Sequence, residues 1–409
     1  MTPALLFYCQ HSLGMGHLVR SLAIAAGLAE HFRVVFLNGG PLPKGTKAPA
    51  GVELVALPPL GLDPDGHGLV SRDRRRSVDR VRQLRRQTIV ATMEAVRPRV
   101  VLIELFPFGR RKFADELMPL IEMARSVPSP RSLIVCSLRD ILVGRGPDQE
   151  RHDDRAAAVA NEYFDAILVH ADPNFARLEE SFRPRSALKI PVHYTGFVVS
   201  GGNGSGGHNG ARGNGKRPIP RRRPVVVSAG GGLVGEPLLR AAVEAHAELW
   251  PTEHVPMKII GGPFVPDEAW QALRATARGR RGLQFRRQVP DLCAELQGAA
   301  ASISQCGYNT AMDILRAGVP ALVVPFAEGV EDEQMTRARR LERLGAVRVL
   351  DSRRLDGATL ADGIRALLHF QPRRVNLDMD GERATAQIVA TLSGVVDSES
   401  RPVASGDAR

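Results

Sequence analysis

Three stretches of this chain place glycines and hydrogen-bonding side chains where an apolar run gives way to a helical pattern. The first is CQHSLGMGHLVRSLAIAAGLAE, Cys9 to Glu30, with Gly14 and Gly16 ahead of His17. Glycine permits positive φ and close backbone approach. The amides that open a helix lack intrahelical partners and attract anions or polar groups. An imidazole at such a place suits proton transfer near neutral pH, so His17 is a candidate base, with a simple helix cap as the plain alternative. The second stretch, VVVSAGGGLVGEPLL, Val225 to Leu239, sets Ser228 and then Gly230, Gly231 and Gly232 between a strand and a helix. Such a loop can turn backbone N–H groups toward a phosphate, or can serve only as a tight turn. No Gly-Lys-Ser/Thr follows, so it is not a P-loop, and MKIIGGPF ends in glycines where a dinucleotide fingerprint has an acid. The third stretch, SQCGYNTAMDILRAGVPALVVPF, holds Gly307 with Asn309 or Thr310 as helix N-cap candidates. Asp313 lies one turn further, and a carboxylate accepts two hydrogen bonds side by side, as from paired hydroxyls. EDEQMTRARRLERLGA follows at Glu331. Glu333 and Gln334 at its start form an acid–amide pair suited to hydroxyls, which donate and accept; acids there also complement the helix dipole.

These residues need strands that end at a common place. LLFYCQ, RVVFLNGG, VELVALPP, RVVLIELF, SLIVCSL and DAILVHA read as strands in the first half, and PVVVSAGGG, MKIIGG, LQFRRQV, ASISQC and ALVVPF in the second. Runs of Val, Ile and Leu without polar alternation suit strands buried on both faces. Helical patterns lie between them, including Leu18–Glu30, Asp73–Ala95 and Arg110–Arg125. Strand–helix alternation implies parallel sheets covered by helices. The expected class is α/β, with two Rossmann-like doubly wound parallel-sheet domains facing a cleft at their strand C-termini. The expected division is 1–199, a Gly-rich basic linker at 200–224, a second domain at 225–397 and a flexible tail at 398–409. The linker, SGGNGSGGHNGARGNGKRPIPRRRP, has no apolar periodicity.

At 409 residues, two domains is the natural expectation. No apolar run reaches the roughly 18–20 residues of a membrane span, and the N-terminus lacks a basic n-region. Cys9, Cys136, Cys293 and Cys306 stand far apart, which fits a reducing compartment and argues against zinc or disulfides. A cytoplasmic protein is expected, with peripheral placement at the inner face of the membrane as a second option. The net charge of +11 comes largely from arginine clusters such as RDRRRSVDRVRQLRR, Arg72 to Arg86. These are solvated faces, or they draw phosphate or an anionic membrane surface. With 5% aromatic residues and no accompanying motif, nucleic-acid binding is not expected.

GMGHLVRSLAIAAGLAE, SAGGG, SQCGYNTAMDILRAGVPALVVPF and EDEQMTRARRLERLGA together resemble a GT-B-fold glycosyltransferase of the MurG-type, family 28-like group. The likeness lies mainly in Val225–Leu350, more weakly in the first 40 residues, and at fold level alone between Pro43 and Val199. It implies a nucleotide-sugar co-substrate, UDP-linked by the same resemblance, bound by the second domain. Gly230–Gly232 would face the diphosphate, with Ser228, Gly307, Asn309, Thr310, Gly14 and Gly16 on the same donor surface. Val289 would meet the base, Asp313 the ribose, and Glu333 and Gln334 the sugar. Asp313 stands where the family commonly has glutamate, Cys306 where glycine or serine is common, and the first loop lacks the fuller glycine run. The paired-glutamate signature of retaining enzymes is missing, so an inverting hexosyl- or N-acetylhexosaminyltransferase is expected. His17 is the leading base, Glu104 the alternate and His11 the third. His11, Arg110, Arg139 and Asp140 are acceptor-side candidates. No DxD-like ligand set is placed, so no metal or other cofactor is expected. The acceptor is left open between a lipid-linked molecule and a small metabolite. A nucleotide-sugar hydrolase on the same fold and a non-catalytic nucleotide-sugar-binding protein are the alternatives.

Overall fold

The computed structural model describes residues 2–11, 15–42, 46–63, 68–73, 75–126, 131–199, 223–232, 234–326 and 332–396. The linker expected at 200–224, apart from Arg223 and Pro224, and the tail at 398–409 lie outside the described residues.

The first lobe is built on strands β1 (Ala4–Cys9), β2 (Arg33–Asn38), β3 (Val52–Ala56), a hairpin β4 (Leu60–Leu62) and β5 (Leu69–Ser71), then β6 (Val100–Glu104), β7 (Leu133–Arg139), β8 (Ala166–His170) and β9 (Val192–Tyr194). Seven of these form one parallel sheet in the order β3-β2-β1-β6-β7-β8-β9. The second lobe carries β10 (Val225–Ser228), β11 (Met257–Ile260), β12 (Leu283–Arg286), β13 (Ala301–Ser304), β14 (Ala321–Val323) and β15 (Arg348–Val349), in the order β12-β11-β10-β13-β14-β15. Every strand read from the apolar runs is present. The runs fall at the buried centres of both sheets, where β1, β6, β10 and β13 are buried nearly throughout. The hairpin, β9 and β15 carry too few buried residues to announce themselves in the sequence.

Helices α1 (Gly16–Leu28), α2 (Val78–Val96), α3 (Ala114–Ser126), α4 (Gln149–Tyr163) and α5 (Leu178–Ser181) cover the first sheet. Helices α6 (Glu236–Glu253), α7 (Asp267–Thr276), α8 (Leu292–Gln297), α9 (Tyr308–Ala317), α10 (Glu333–Arg343) and α11 (Gly357–Leu367) serve the second, and α12 (Gly381–Leu392) follows. α2 buries Val81, Arg85, Ile89 and Met93, a stripe of one residue per turn. Arg85 occupies an apolar position in that stripe because its guanidinium is fully used: it donates to both oxygens of Glu116, to Gln10 Oε1 and to the carbonyls of Gly39 and Pro58. The stretch Arg72–Arg86 is therefore not one basic face. Arg72 lines the cleft, Arg85 is internal, and Arg82 and Arg86 lie beside Asp115.

The range 225–397 is likewise not one unit in space. α12 crosses back and packs on α1, with Ala386, Val389 and Ala390 in the same apolar cluster as Leu18, Ile24 and Leu28. Gly27 makes that approach possible, since a Cβ there would come within 2.7 Å of Glu382 Cγ. The lobes also share a core seam, in which Phe175 meets Phe197 edge-to-face at 5.4 Å and Phe197 meets Tyr308 at a tilt at 5.7 Å. No helix among the described residues is long and apolar enough to cross a membrane.

Candidate active site

The C-terminal ends of the two sheets open onto a cleft of about 2560 Å³ lined by residues of both lobes. On the first-lobe side, β1 leads into α1, whose second residue is His17. Residues 12–14, and with them Gly14, lie outside the described residues. His17 lines the cleft, and its Nδ1 lies 2.6 Å from Glu104 Oε1 at the end of β6. The adjacent strands β1 and β6 deliver these two groups together. Glu104 has no exposed side-chain surface. Burial by itself would push its carboxyl up, but His17, Arg110 and Arg20 outweigh burial and hold it below the ordinary carboxylate range. Arg20 Nη2 donates to the same oxygen at 2.8 Å, and Arg110 Nη2 lies 3.6 Å from Oε2. Burial lowers the His17 imidazole to about 3, against the upward pull of Glu104 and with help from Arg110. At neutral pH His17 is thus neutral, its Nδ1–H donates to the carboxylate, and Nε2 makes no hydrogen bond to the described residues. This arrangement supplies a proton acceptor with a buried anion to balance the charge it gains.

On the second-lobe side the cleft is lined by Ser228, the glycine turn and the start of α9. Gly230 and Gly232 take φ of +58° and +91°, which side-chain-bearing residues adopt only with strain. Two of the turn's amides are used inside it: Gly230 N donates to Ser228 Oγ and Gly232 N to Ala229 O. The larger supply of unpaired amides is the first turn of α9. Gly307 is its N-cap, not Asn309 or Thr310, which are the second and third residues of its first turn, and a Cβ on Gly307 would meet nothing within 4 Å. Asp313, one turn on, also lines the cleft; burial, with a smaller push from Asp291 and against Arg316, raises its carboxyl to about 7. Val289 lines the wall nearby.

Glu333 and Gln334 open α10 at the far side of the cleft, and each is already engaged. Gln334 Oε1 accepts from the amides of Cys306 and Phe326 at 3.1 and 3.2 Å, so the side chain presents only its NH2 to a ligand. Glu333 Oε2 lies 2.6 Å from Arg139 Nη1 across the cleft. Glu331 is outside the described residues.

Two of the acceptor-side candidates are not at the surface of the cleft. Asp140 is buried in a two-point pair with Arg337, both contacts at 2.7 Å, and this pair ties β7 to α10. His11 is buried with Nε2 3.2 Å from Asn38 Oδ1, so it does not face a ligand. Arg110 and Arg139 do line the cleft. With them the first-lobe wall carries Arg72, Arg111, Lys112, Arg145, Arg151 and Arg155, a cationic surface that few acids interrupt. The sequence reading missed Arg20, Tyr308 and Arg337. Arg20 was findable, since it lies three residues after His17 and so on the same helix face; the other two act across a seam between residues far apart in sequence. Among the described residues no group of three or more His, Cys, Asp or Glu is placed to hold a metal ion.

Residues 230–391 match the glycosyltransferase family 28 C-terminal domain. The UDP-N-acetylglucosamine--N-acetylmuramyl-(pentapeptide) pyrophosphoryl-undecaprenol N-acetylglucosamine transferase of Pseudomonas paraeruginosa is 29% identical over 187 residues, 44% of this chain and 50% of that protein. The chain spans half or less of the length of such curated relatives. MurG of Acinetobacter baumannii superposes with a TM-score of 0.52 at 16% identity, covering 96% of this chain and 100% of that one. A calicheamicin glycosyltransferase superposes with a TM-score of 0.55 at 19% identity, covering 96% of each chain. The fold is that of the two-lobed GT-B glycosyltransferases.

Proposed function

We propose that the protein is an inverting glycosyltransferase that moves a sugar from a UDP-linked donor to a hydroxyl of an anionic acceptor. The observation that carries this reading is the convergence, in one cleft, of the His17–Glu104 pair from the first lobe and the glycine turn, the α9 N-terminus, Asp313 and Gln334 from the second. The second lobe coincides with the family 28 domain, whose curated relatives are named for UDP-N-acetylglucosamine, so that donor is the first to test.

In the reaction, the acceptor oxygen attacks the anomeric carbon as the bond from that carbon to the diphosphate oxygen breaks. The hydroxyl proton passes to His17 Nε2, and Glu104 stabilises the imidazolium that results. Charge developing on the leaving diphosphate falls against the unpaired amides of α9 and the positive end of its dipole. Asp313 accepts from the ribose hydroxyls, and the Gln334 NH2 donates to the sugar. The cationic first-lobe wall favours an acceptor that bears phosphate. This agrees with the pyrophosphoryl acceptor in the relatives' name, and a lipid-linked acceptor would bring that wall to a membrane surface.

Thermal shift and calorimetry across UDP-, TDP- and GDP-sugars test the donor. A UDP-sugar at about 100 times its Kd stabilises the protein by ~2.7 kcal/mol. Transfer to phosphate-bearing hydroxyl compounds, run beside neutral ones, tests the acceptor. Free sugar released as fast without acceptor as with it means hydrolysis, and failure of every nucleotide sugar to bind ends the reading.

A further inference from the structure

The donor-side turn Gly307–Thr310 touches the base-bearing helix at two points. Asn309 Nδ2 donates to Gly16 O, one residue before His17, at 3.2 Å. Tyr308 sets its ring 5.2 Å from Arg20 Cζ, one turn after His17. The ring is carried by second-lobe backbone but pinned in the first lobe, because its hydroxyl donates to His170 O at 3.0 Å and accepts from Val198 N at 2.8 Å. Arg20 is 2% exposed and its Nε has no hydrogen-bond partner. Its guanidinium is therefore held on one side by Glu104 Oε1, at 2.8 Å, and on another by the face of an aromatic ring. The oxygen it holds is the one that accepts from His17 Nδ1.

We propose that Tyr308 and Arg20 are positioning residues: the ring borne by the donor-binding turn holds Arg20 on Glu104, and Glu104 in turn sets the orientation and proton affinity of His17. Docking of the donor lobe then aims the imidazole, so that an open cleft leaves His17 without a fixed orientation toward a hydroxyl or water. The inference rests on the reading of His17 as the base.

The groups around this chain of contacts come from five elements. Glu104 faces His17 and Arg20 from α1, Arg110 from the loop after β6, Cys9 from β1, Cys136 from β7 and His170 from β8. His17 also faces Arg110 and Arg139. When Arg20 leaves Glu104, the carboxylate is less neutralised and attracts a proton on the adjacent imidazole more strongly. The titration of His17 then moves up.

The test is an NMR titration of the histidine imidazoles in the full unliganded chain, with His17 assigned from His17→Ala. Wild type keeps His17 neutral through mildly acidic pH. Arg20→Met raises its midpoint by about one pH unit or more, a tenfold change in proton affinity. Tyr308→Leu moves it in the same direction, Tyr308→Phe moves it less because the ring remains although its hydroxyl anchors are lost, and the Arg20→Met/Tyr308→Leu pair moves it no further than Arg20→Met alone. Tyr308→Met replaces the leucine variant if that one does not fold. Transfer rates at saturating donor fall in these variants because the imidazole loses its fixed orientation, which outweighs its modestly greater basicity, while donor Kd stays within about twofold, far short of a tenfold change. An unmoved midpoint in the ringless variants, or a shift that adds to that of Arg20→Met, overturns the proposal. Shifted midpoints in a protein that turns over no nucleotide sugar keep the coupling and remove the functional reading; turnover with unmoved midpoints does the reverse.

Discussion

The turn after β1 and the turn after β10 occupy the same place in their sheets, each following the strand around which the order reverses. They are built for opposite work. The first ends on a histidine backed by a buried carboxylate and two arginines, so its chemistry lies in side chains that exchange a proton. The second carries glycines at positive φ and no titratable side chain beyond the Ser228 hydroxyl, so it can act only through backbone and shape. A departing diphosphate needs fixed dipoles that do not change state, whereas an attacking hydroxyl needs a group that does. On the proposed reading, one fold, repeated, divides these tasks between its copies.

If that division holds, the two turns respond differently to substitution. His17→Ala has the largest effect, a loss of roughly 10²–10⁴-fold in the rate of transfer, with donor affinity by calorimetry unchanged. Normal turnover in this variant removes His17 from its role. Gly232→Ala shows the reverse pattern. At φ +91° its Cβ would lie 2.6 Å from Val265 Cγ2 and 2.7 Å from Gly261 O. Strain of this kind costs about 1–3 kcal/mol, lowers the unfolding midpoint and weakens the donor, while turnover at saturating donor is largely kept. Equal losses of affinity and turnover in both variants would erase the distinction between the turns.

How much of this was legible beforehand follows the range over which the residues act. The central strands were readable because burial on both faces writes itself as unbroken Val, Ile and Leu. Gly230–Gly232, Asp313 and His17 were readable because each sits a fixed number of residues from a strand end. Asp140 misled, since nothing local distinguishes a carboxylate at the rim from one paired with Arg337, 197 residues away. Gln334 lines the cleft, but its carbonyl is consumed by two backbone amides that only the folded chain brings near. The return of α12 to the first lobe was hidden for the same reason, because its apolar face names no partner.

The smallest effect is a pH dependence, and it separates the two turns without mutating either. Burial raises Asp313 to about 7 in the unliganded protein, so near pH 6 most molecules carry it protonated. A protonated carboxyl accepts fewer hydrogen bonds, and ribose hydroxyls must donate to it, so the donor selects the ionised form and affinity rises between pH 6 and 8 by up to about tenfold. Stability runs the other way. The folded value lies above the ordinary 3.8, so the contribution of Asp313 is favourable below about pH 4 and is lost as pH rises through 7. Measured against Asp313→Asn, the unliganded unfolding midpoint of the wild type therefore drifts down as pH rises from 6 through 7, and the donor-bound one drifts less or upward. His17 and His170, held near 3, leave donor affinity alone in this window but titrate near 6.5 in the unfolded chain, so they pull stability up as pH rises and oppose Asp313. Asp313→Asn flattens the affinity slope and removes the Asp313 share of the stability slope, leaving the upward share of the histidines, measured by calorimetry and thermal unfolding across that range. A donor affinity in wild type that is level from pH 6 to 8 would take Asp313 off the ribose and leave the second lobe's recognition to backbone alone.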